Sequence, residues 1–356
     1  MAIYLLYMAS PIIMYGVLEL ILGYSINDNP KYRKIYLGLM VIIITLMIGL
    51  RSQDVGSGDS RFYYAFWETM SKTNLSELGY SLKVVDLEIG YQCATWFFSH
   101  IFHNGQWQLV LSGAFFAISV CSFVNKNCKN LFLALTVFNC LGLFSFMVQG
   151  LRQAVAMCIC LWAIEPCKQR KLLKFISLIF VASLFHGSAV VFSAVYFLKY
   201  FKLNIKSYLI TFCLMMLAIL FLPKFFDLLN LIINDHYAVG TQAKGGGIVA
   251  ILIYIAVISF GLLFRDNQDV YYPMYIYMTL IALLAMVMRN TVSSIVERIA
   301  YYFAFGEMVV ISNSIKTIGN KKEYHLVCGF IAIMCLCVAI YKSTYSVLIP
   351  YTFFWQ

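Results

Sequence analysis

The stretch LFLALTVFNCLGLFSFMVQGLRQAVAMCICLWAIEPCKQRKLLK, residues 131–174, decides how this chain is read. Two apolar runs, 131–149 and 153–166, meet at Gly150-Leu151-Arg152-Gln153. A dense basic loop follows, with Lys168, Arg170, Lys171 and Lys174. Apolar runs of this kind, in which Glu165 is the sole charge, suit lipid better than water. Short loops rich in Lys and Arg stay on the cytoplasmic side of a membrane. The stretch therefore predicts helices whose basic turn faces the cytoplasm and whose Arg152 junction faces out.

Further apolar runs lie at 3–23, 35–50, 107–124, 172–186, 187–201, 207–222, 248–264, 271–288, 295–315 and 324–341. The expected fold is all-α, a polytopic integral membrane protein of about twelve transmembrane helices. One membrane domain is expected over 1–356, with outer loops at about 51–106 and 223–247. Several runs fall short of the roughly 20 residues that a full crossing needs. The runs 172–186 and 187–201 read as two short helices meeting at a break. Residues 87–103 are interrupted by Glu88, Gln92 and His100, and read as an amphipathic helix on the membrane or a re-entrant one.

Composition agrees. Of 356 residues, 62% are hydrophobic and 12% charged, with a mean hydropathy of +0.81. Soluble domains carry about 25% charged residues. The net charge of +10 does not point to nucleic acid, because the basic residues sit in short loops between apolar runs. None of the eleven cysteines forms a CxxC pair, and most lie inside apolar runs, so neither a disulfide framework nor a metal site is expected. The N-terminus lacks a basic leader region, so the first run is expected to remain in the mature protein.

With the N-terminus outside, the inner loops hold sixteen of the 26 Lys and Arg residues. They cluster at 31–34, 126–129, 168–174, 199–206, 265 and 316–322. A full span at 87–103 would turn the 168–174 loop outward, which argues against one. Inside, lysines outnumber arginines thirteen to three; outside there are five of each. Lysine suffices for orientation, whereas the arginine fork grips carboxylate or phosphate. Arg51, Asp59, Glu88, Arg152, His186 and Arg298 all fall on the outer side. That convergence suits an anionic, lipid-linked substrate.

Each motif also has a plainer reading. Residues 49–64, with Arg51, Gly56, Gly58, Asp59 and Tyr63, could be a helix end and a solvated loop. Glu88 could simply favour a helix start. Arg152 could snorkel, although lysine would serve equally well. His186 sits with Gly187 and Ser188 at the expected break, at the depth of Arg152. Glu297 and Arg298 are neighbours, so on a helix they diverge by about 100° and need different partners. Arg289 precedes them by a short loop. Glu19 and Glu307 lie in apolar runs without obvious partners. The second outer loop ends in Lys244-Gly245-Gly246-Gly247, a stretch able to act as a lid.

The ordered set Gly49-Leu50-Arg51, Val55-Gly56-x-Gly58-Asp59-Ser60, Tyr63, Glu88-x-Gly90-Tyr91, Leu151-Arg152-Gln153-Ala154 and Phe185-His186-Gly187-Ser188 resembles the EpsG-like branch of the Wzy family. These are bacterial O-antigen, capsule and exopolysaccharide polymerases. The chain departs from the family pattern by one extra residue before Asp59 and by Ser60 in place of threonine. The resemblance implies a helical fold of the lipid-to-sugar transferase (GT-C-like) type in the cytoplasmic membrane. It implies donor and acceptor oligosaccharides on undecaprenyl diphosphate, membrane lipid as surroundings, no cofactor, and a chain-length regulator as a candidate partner. On that basis Arg51, Arg152, Arg298 and Arg289 are expected on the diphosphate, with Arg152 and Arg298 also catalytic. His186 or Glu88 is expected as the base. Asp59, Tyr63, Tyr91 and Glu297 are expected to bind sugar or orient other groups. A ligase of the same fold, a flippase or transporter, and a membrane acyltransferase are the competing readings. A transporter would need polar groups through the bilayer depth, and an acyltransferase histidine would face the cytoplasm.

Overall fold

The computed structural model describes residues 1–23, 25–56, 58–204, 206–207, 210, 247–289 and 295–356. Among the described residues the chain is helical, with no strand and one isolated bridge between Arg51 and Phe353. Apart from Ser207, Ile210 and Gly247, the run at 207–222 and the outer loop at 223–247 with its Gly-rich end lie outside the described residues. The helices gather in two compact units, Met1–Ser193 with Ile318–Gln356, and Ala194–Thr317.

The first unit begins with α1 (Ala2–Leu22), which stops at Gly23 in the left-handed region, φ 68°. Glu19 on its last turn is not orphaned: it accepts from the Ile26 amide at 3.2 Å. Pro30 then opens α2 (Pro30–Gly49), whose first turn is capped by the Asn29 side chain. The following segment folds as α3 (Gly58–Met70), α4 (Leu75–Val84) and α5 (Ile89–Ile101). Two indoles tie it together. Trp67 donates to the Phe102 carbonyl at 2.7 Å, and Trp96 donates to the Thr73 carbonyl at 2.8 Å.

α5 is amphipathic in an inverted sense. Its buried side carries Tyr91, Gln92, Thr95 and Ser99, while Ile89, Phe97, Phe98 and Ile101 are exposed. Water would drive those apolar side chains inward. A helix polar on its buried side and apolar on its exposed side suits lipid surroundings, and at 13 residues α5 is too short for a full crossing. That matches the reading of 87–103 as an amphipathic helix rather than a span.

α6 (Gln106–Asn127) follows, packed along α2. Gly113 permits the approach, since a Cβ there would lie 3.0 Å from that of Ile48. The run 131–149 is one span in sequence but two helices in space. α7 (Leu131–Cys140) and α8 (Leu143–Gln149) meet at 52°. Gly142 makes the break, with φ 122°. The Lys342 ammonium donates to the Leu141 carbonyl at 2.6 Å, a cation at a helix C-terminus, where the dipole favours it. α9 (Leu151–Lys168) and α10 (Leu172–Ser183) form the hairpin around the basic turn. The C-terminal helix Lys321–Ser343 packs against α7 and α1.

The second unit contains α11 (Val195–Leu198), α12 (Gly247–Leu263), α13 (Tyr272–Arg289), α14 (Ile295–Phe303) and α15 (Phe305–Ser314). The expected span at 295–315 is two helices parted at Ala304. Glu307 is buried in α15, and it and Tyr254 interact.

Five described helices are long and apolar enough to cross a membrane, or six if the bent α7–α8 pair counts as one. This is a multi-span membrane protein, but twelve crossings are not reached among the described residues. α10 has 12 residues, short of a crossing, and α12 has 17 described residues, at the lower limit of one. The run 187–201 opens as a 3-10 helix, Gly187–Ala194. Composition marks apolar runs without fixing how far each one stays helical.

The basic loops do assemble at one end of the first unit. Arg33 donates to the carbonyls of Asn125 and Cys128, and Lys168 donates to Asn127. At the other end, Gln106 donates to the Gly49 and Arg51 carbonyls. The last residues join that same end, as the Ser52 amide donates to the Thr352 carbonyl. Reporters fused after Lys171 and after Gln356 are therefore expected on opposite sides of the membrane. A cytoplasmic signal from both fusions would break the arrangement.

Candidate functional site

Glu88 has non-helical backbone angles (φ −60°, ψ 139°) and stands just before α5. The turn that delivers it is fixed from inside by Gln92, which donates to the carbonyls of Val85 and Leu87 at 3.1 and 2.7 Å. One residue further, the Gly90 amide donates to the Leu184 carbonyl at 2.8 Å. A Cβ on Gly90 would lie 2.7 Å from that oxygen, so only glycine lets the two backbones come this close. The contact brings the start of α5 against the end of α10, where His186 follows the last helical turn.

Four side chains meet there. The Glu88 Oε1 contacts His186 Nδ1 at 2.7 Å, and its Oε2 pairs with Arg152 Nη1. Arg152 Nε donates to the Tyr63 hydroxyl at 2.9 Å. The side chains of Glu88, Arg152 and His186 are 22%, 24% and 17% exposed, so the cluster is partly open. Tyr63 and Tyr91 are buried beside it, ring edge to face at 5.5 Å, and Gln108 donates to the Tyr91 hydroxyl.

The electrostatics fix the charge of Glu88. Burial acts to raise the Glu88 pKa, but the His186 hydrogen bond, its own backbone amide and the Arg152 charge outweigh it. The carboxyl is held down at about 2. An ionised Glu88 accepts, so His186 Nδ1 donates. In neutral histidine that leaves the Nε2 lone pair unprotonated, and no described protein group occupies it. Arg152 Nη2 likewise has no partner among the described residues. The cluster thus presents one proton acceptor and one free guanidinium edge.

Arg51 stands apart from this opening. It is 1% exposed. Its Nη1 donates to the Val55 carbonyl and to Ser60 Oγ, and its Nη2 to the Val148 carbonyl at 3.2 Å. Burial pulls its pKa down to about 10, so it remains charged at neutral pH. Gly56, at φ 123°, packs over it, and a Cβ there would lie 2.8 Å from Nη1. As folded, the guanidinium is buried on two backbone carbonyls and the Ser60 hydroxyl.

The model of the EpsG family matches residues 34–353, a range that holds every group just described. The chain belongs to the EpsG family. No curated protein and no solved structure is significantly similar to it. Of the residues that the sequence singles out in this EpsG chain, Glu88, Arg152, His186, Tyr63 and Tyr91 come together. Asp59 is exposed on the first turn of α3, where the helix dipole favours a carboxylate. Arg289 pairs with Glu297 at 2.8 Å, and Tyr301 donates to Glu297 at 3.0 Å, all within the second unit. Arg298 is exposed in α14 of that unit. Glu297 and Arg298 therefore do take different directions, as adjacent helical residues must.

Sequence reading missed the supports. Gln92 looked like an interruption of an apolar run, and its full burial is the sign of its task. Gln108 and the carbonyls of Val148 and Leu184 carry no chemical signature in sequence.

Two outcomes follow for the EpsG site. Gly90→Ala is expected to push the 184–186 turn away, break the Glu88–His186 contact and cost about 1–3 kcal/mol in micelle-based unfolding. Gly79→Ala meets nothing within 4 Å and serves as the neutral comparison. The second outcome concerns acid. A carboxyl with a depressed folded pKa contributes stability that is full above its unfolded value near 4.5 and is lost as pH falls towards 2. The melting-temperature gap between wild type and Glu88→Gln should hold steady from pH 8 to 5 and close below 4.5. A gap that widens in acid would contradict the assignment.

Proposed function

We propose that this EpsG-family protein is a polysaccharide polymerase. It joins undecaprenyl-diphosphate-linked oligosaccharide repeat units at the outer face of the cytoplasmic membrane. The observation that carries the reading is the Tyr63–Arg152–Glu88–His186 chain, in which one carboxylate orients both a base and a cation.

In the proposed reaction, a hydroxyl of the acceptor sugar attacks the anomeric carbon of the donor chain. The C–O bond to the lipid diphosphate breaks and its electron pair leaves with the phosphate. His186 Nε2 takes the hydroxyl proton. Glu88, held ionised by its two partners, is too weak a base to take it, and instead steadies the imidazolium that forms. Arg152 offers its free Nη2 to the departing diphosphate, with Tyr63 fixing the plane of the guanidinium. Arg51 acts as a positioning residue. Arg298 and Arg289 are retained as diphosphate candidates, and Asp59 and Glu297 as sugar-binding or orienting groups. The step as written needs no metal. The GT-C-like fold type, a span count beyond that of the described helices and a chain-length regulator as partner belong to the same proposal.

The test uses purified protein with lipid-linked repeat units, with and without chelator, reading product length on gels. Arg152→Lys keeps the charge but changes the fork. It is expected to lose about 2–4 kcal/mol of transition-state stabilisation, a fall of roughly 30- to 1000-fold in rate. His186→Ala and His186→Gln should abolish turnover while retaining substrate binding. Normal polymer from both histidine variants would sink the base assignment. Loss with chelator and rescue by a divalent cation would replace the metal-free step.

A further inference from the structure

Residues 344–356 form a short strap across the outer end of the first unit. Three backbone hydrogen bonds lace it to the segment after α2. The Ser52 amide donates to Thr352 O at 2.9 Å, the Phe354 amide to Leu50 O at 3.0 Å, and the Gly56 amide to Val347 O at 3.0 Å. The Tyr351 hydroxyl donates to the Met47 carbonyl at 3.0 Å. Leu348 and Tyr351 also wall a small cavity of about 10 Å³ against Arg51, room for no more than about one water. The strap therefore seals Arg51 and holds the chain on both sides of it.

Arg51 in turn touches both pieces of backbone that carry the Tyr63–Arg152 pair. Through Nη1 it holds Ser60, three residues before Tyr63 and one helical turn below it. Through Nη2 it holds the Val148 carbonyl at the end of α8, four residues before Arg152. The described partners of this buried cation are two carbonyls and one hydroxyl. A charge buried on neutral dipoles alone is stable only while every one of them stays in place. Loosening the strap would admit water at Arg51, release Val55 and Ser60, and leave Tyr63 free to move from Arg152.

From this lacing we infer that the C-terminal strap is a positioning element of the candidate active site: it holds Arg51, and through Arg51 it sets the Tyr63–Arg152 pair. The inference rests on the polymerase reading only for its kinetic consequence. The mechanical part stands on the hydrogen bonds alone.

The test compares Phe354→Pro, which removes the amide that Leu50 receives, with Phe354→Ala, which keeps it. Truncation after Thr344 gives the full loss. Two readouts are taken on purified full-length variants and the truncated protein. The first is backbone hydrogen exchange over residues 50–60. The second is kcat and KM with lipid-diphosphate-linked repeat units isolated from cells lacking the protein. Faster exchange in 50–60 and a kcat lower by about tenfold are expected for Phe354→Pro, with KM and melting temperature near wild type. Phe354→Ala should match wild type in both readouts, and the truncation should exceed Phe354→Pro in both. Unchanged exchange in the proline variant and the truncation would overturn the strap. Faster exchange with unchanged or raised turnover would overturn positioning and make the segment a mere cover. Wild-type protein inactive on these units would refute the polymerase reading, and exchange would still decide whether the strap holds Arg51.

Discussion

Glu88 divides its two carboxylate oxygens between a histidine and an arginine, and the rest of that end of the first unit is arranged around the division. A carboxylate at a membrane face is costly unless charge and donors meet it. Here both arrive from distant parts of the chain, Arg152 from the start of α9 and His186 from the end of α10. The α9–α10 hairpin returns its two ends to one level, so one turn of α5 can reach both. Gly90 and Gln92 then set that turn to within a hydrogen-bond length. Replacing either would leave the charges present and the geometry lost.

Much of this was legible in the sequence, for a definite reason. Charges that resist burial must stand out against apolar runs, so Arg51, Glu88, Arg152 and His186 could be found by their cost alone. The sidedness of the loops follows from the same contrast, and contacts such as Lys168–Asn127 and Arg33–Asn125 gather the basic loops as the lysine count anticipates. The break after α10 announced itself through His186-Gly187-Ser188.

What stayed hidden is equally physical. Gly142 splits one apolar run into two helices, and no hydropathy pattern distinguishes a straight span from a bent one. The role of Arg51 could not be separated from that of Arg152, because burial depends on what covers a residue. What covers Arg51 is a segment almost three hundred positions away in sequence. Gln92 and Gln108 act through carbonyls and a phenol, partners that every stretch of chain offers, so spacing alone could not choose them. Membership of the EpsG family unites these parts under one lineage.

The outward apolar face of α5 has a consequence for the search for substrate. An apolar exposed side works as a depth gauge in lipid, and Glu88 is attached to the first turn of that helix. Under the proposed polymerase function the phosphates of a lipid carrier would ride at much the same height. Donor and acceptor would then arrive by sliding within the leaflet, so encounter becomes a two-dimensional problem. Confinement to a thin layer would raise the local concentration of both before any contact with the protein is made.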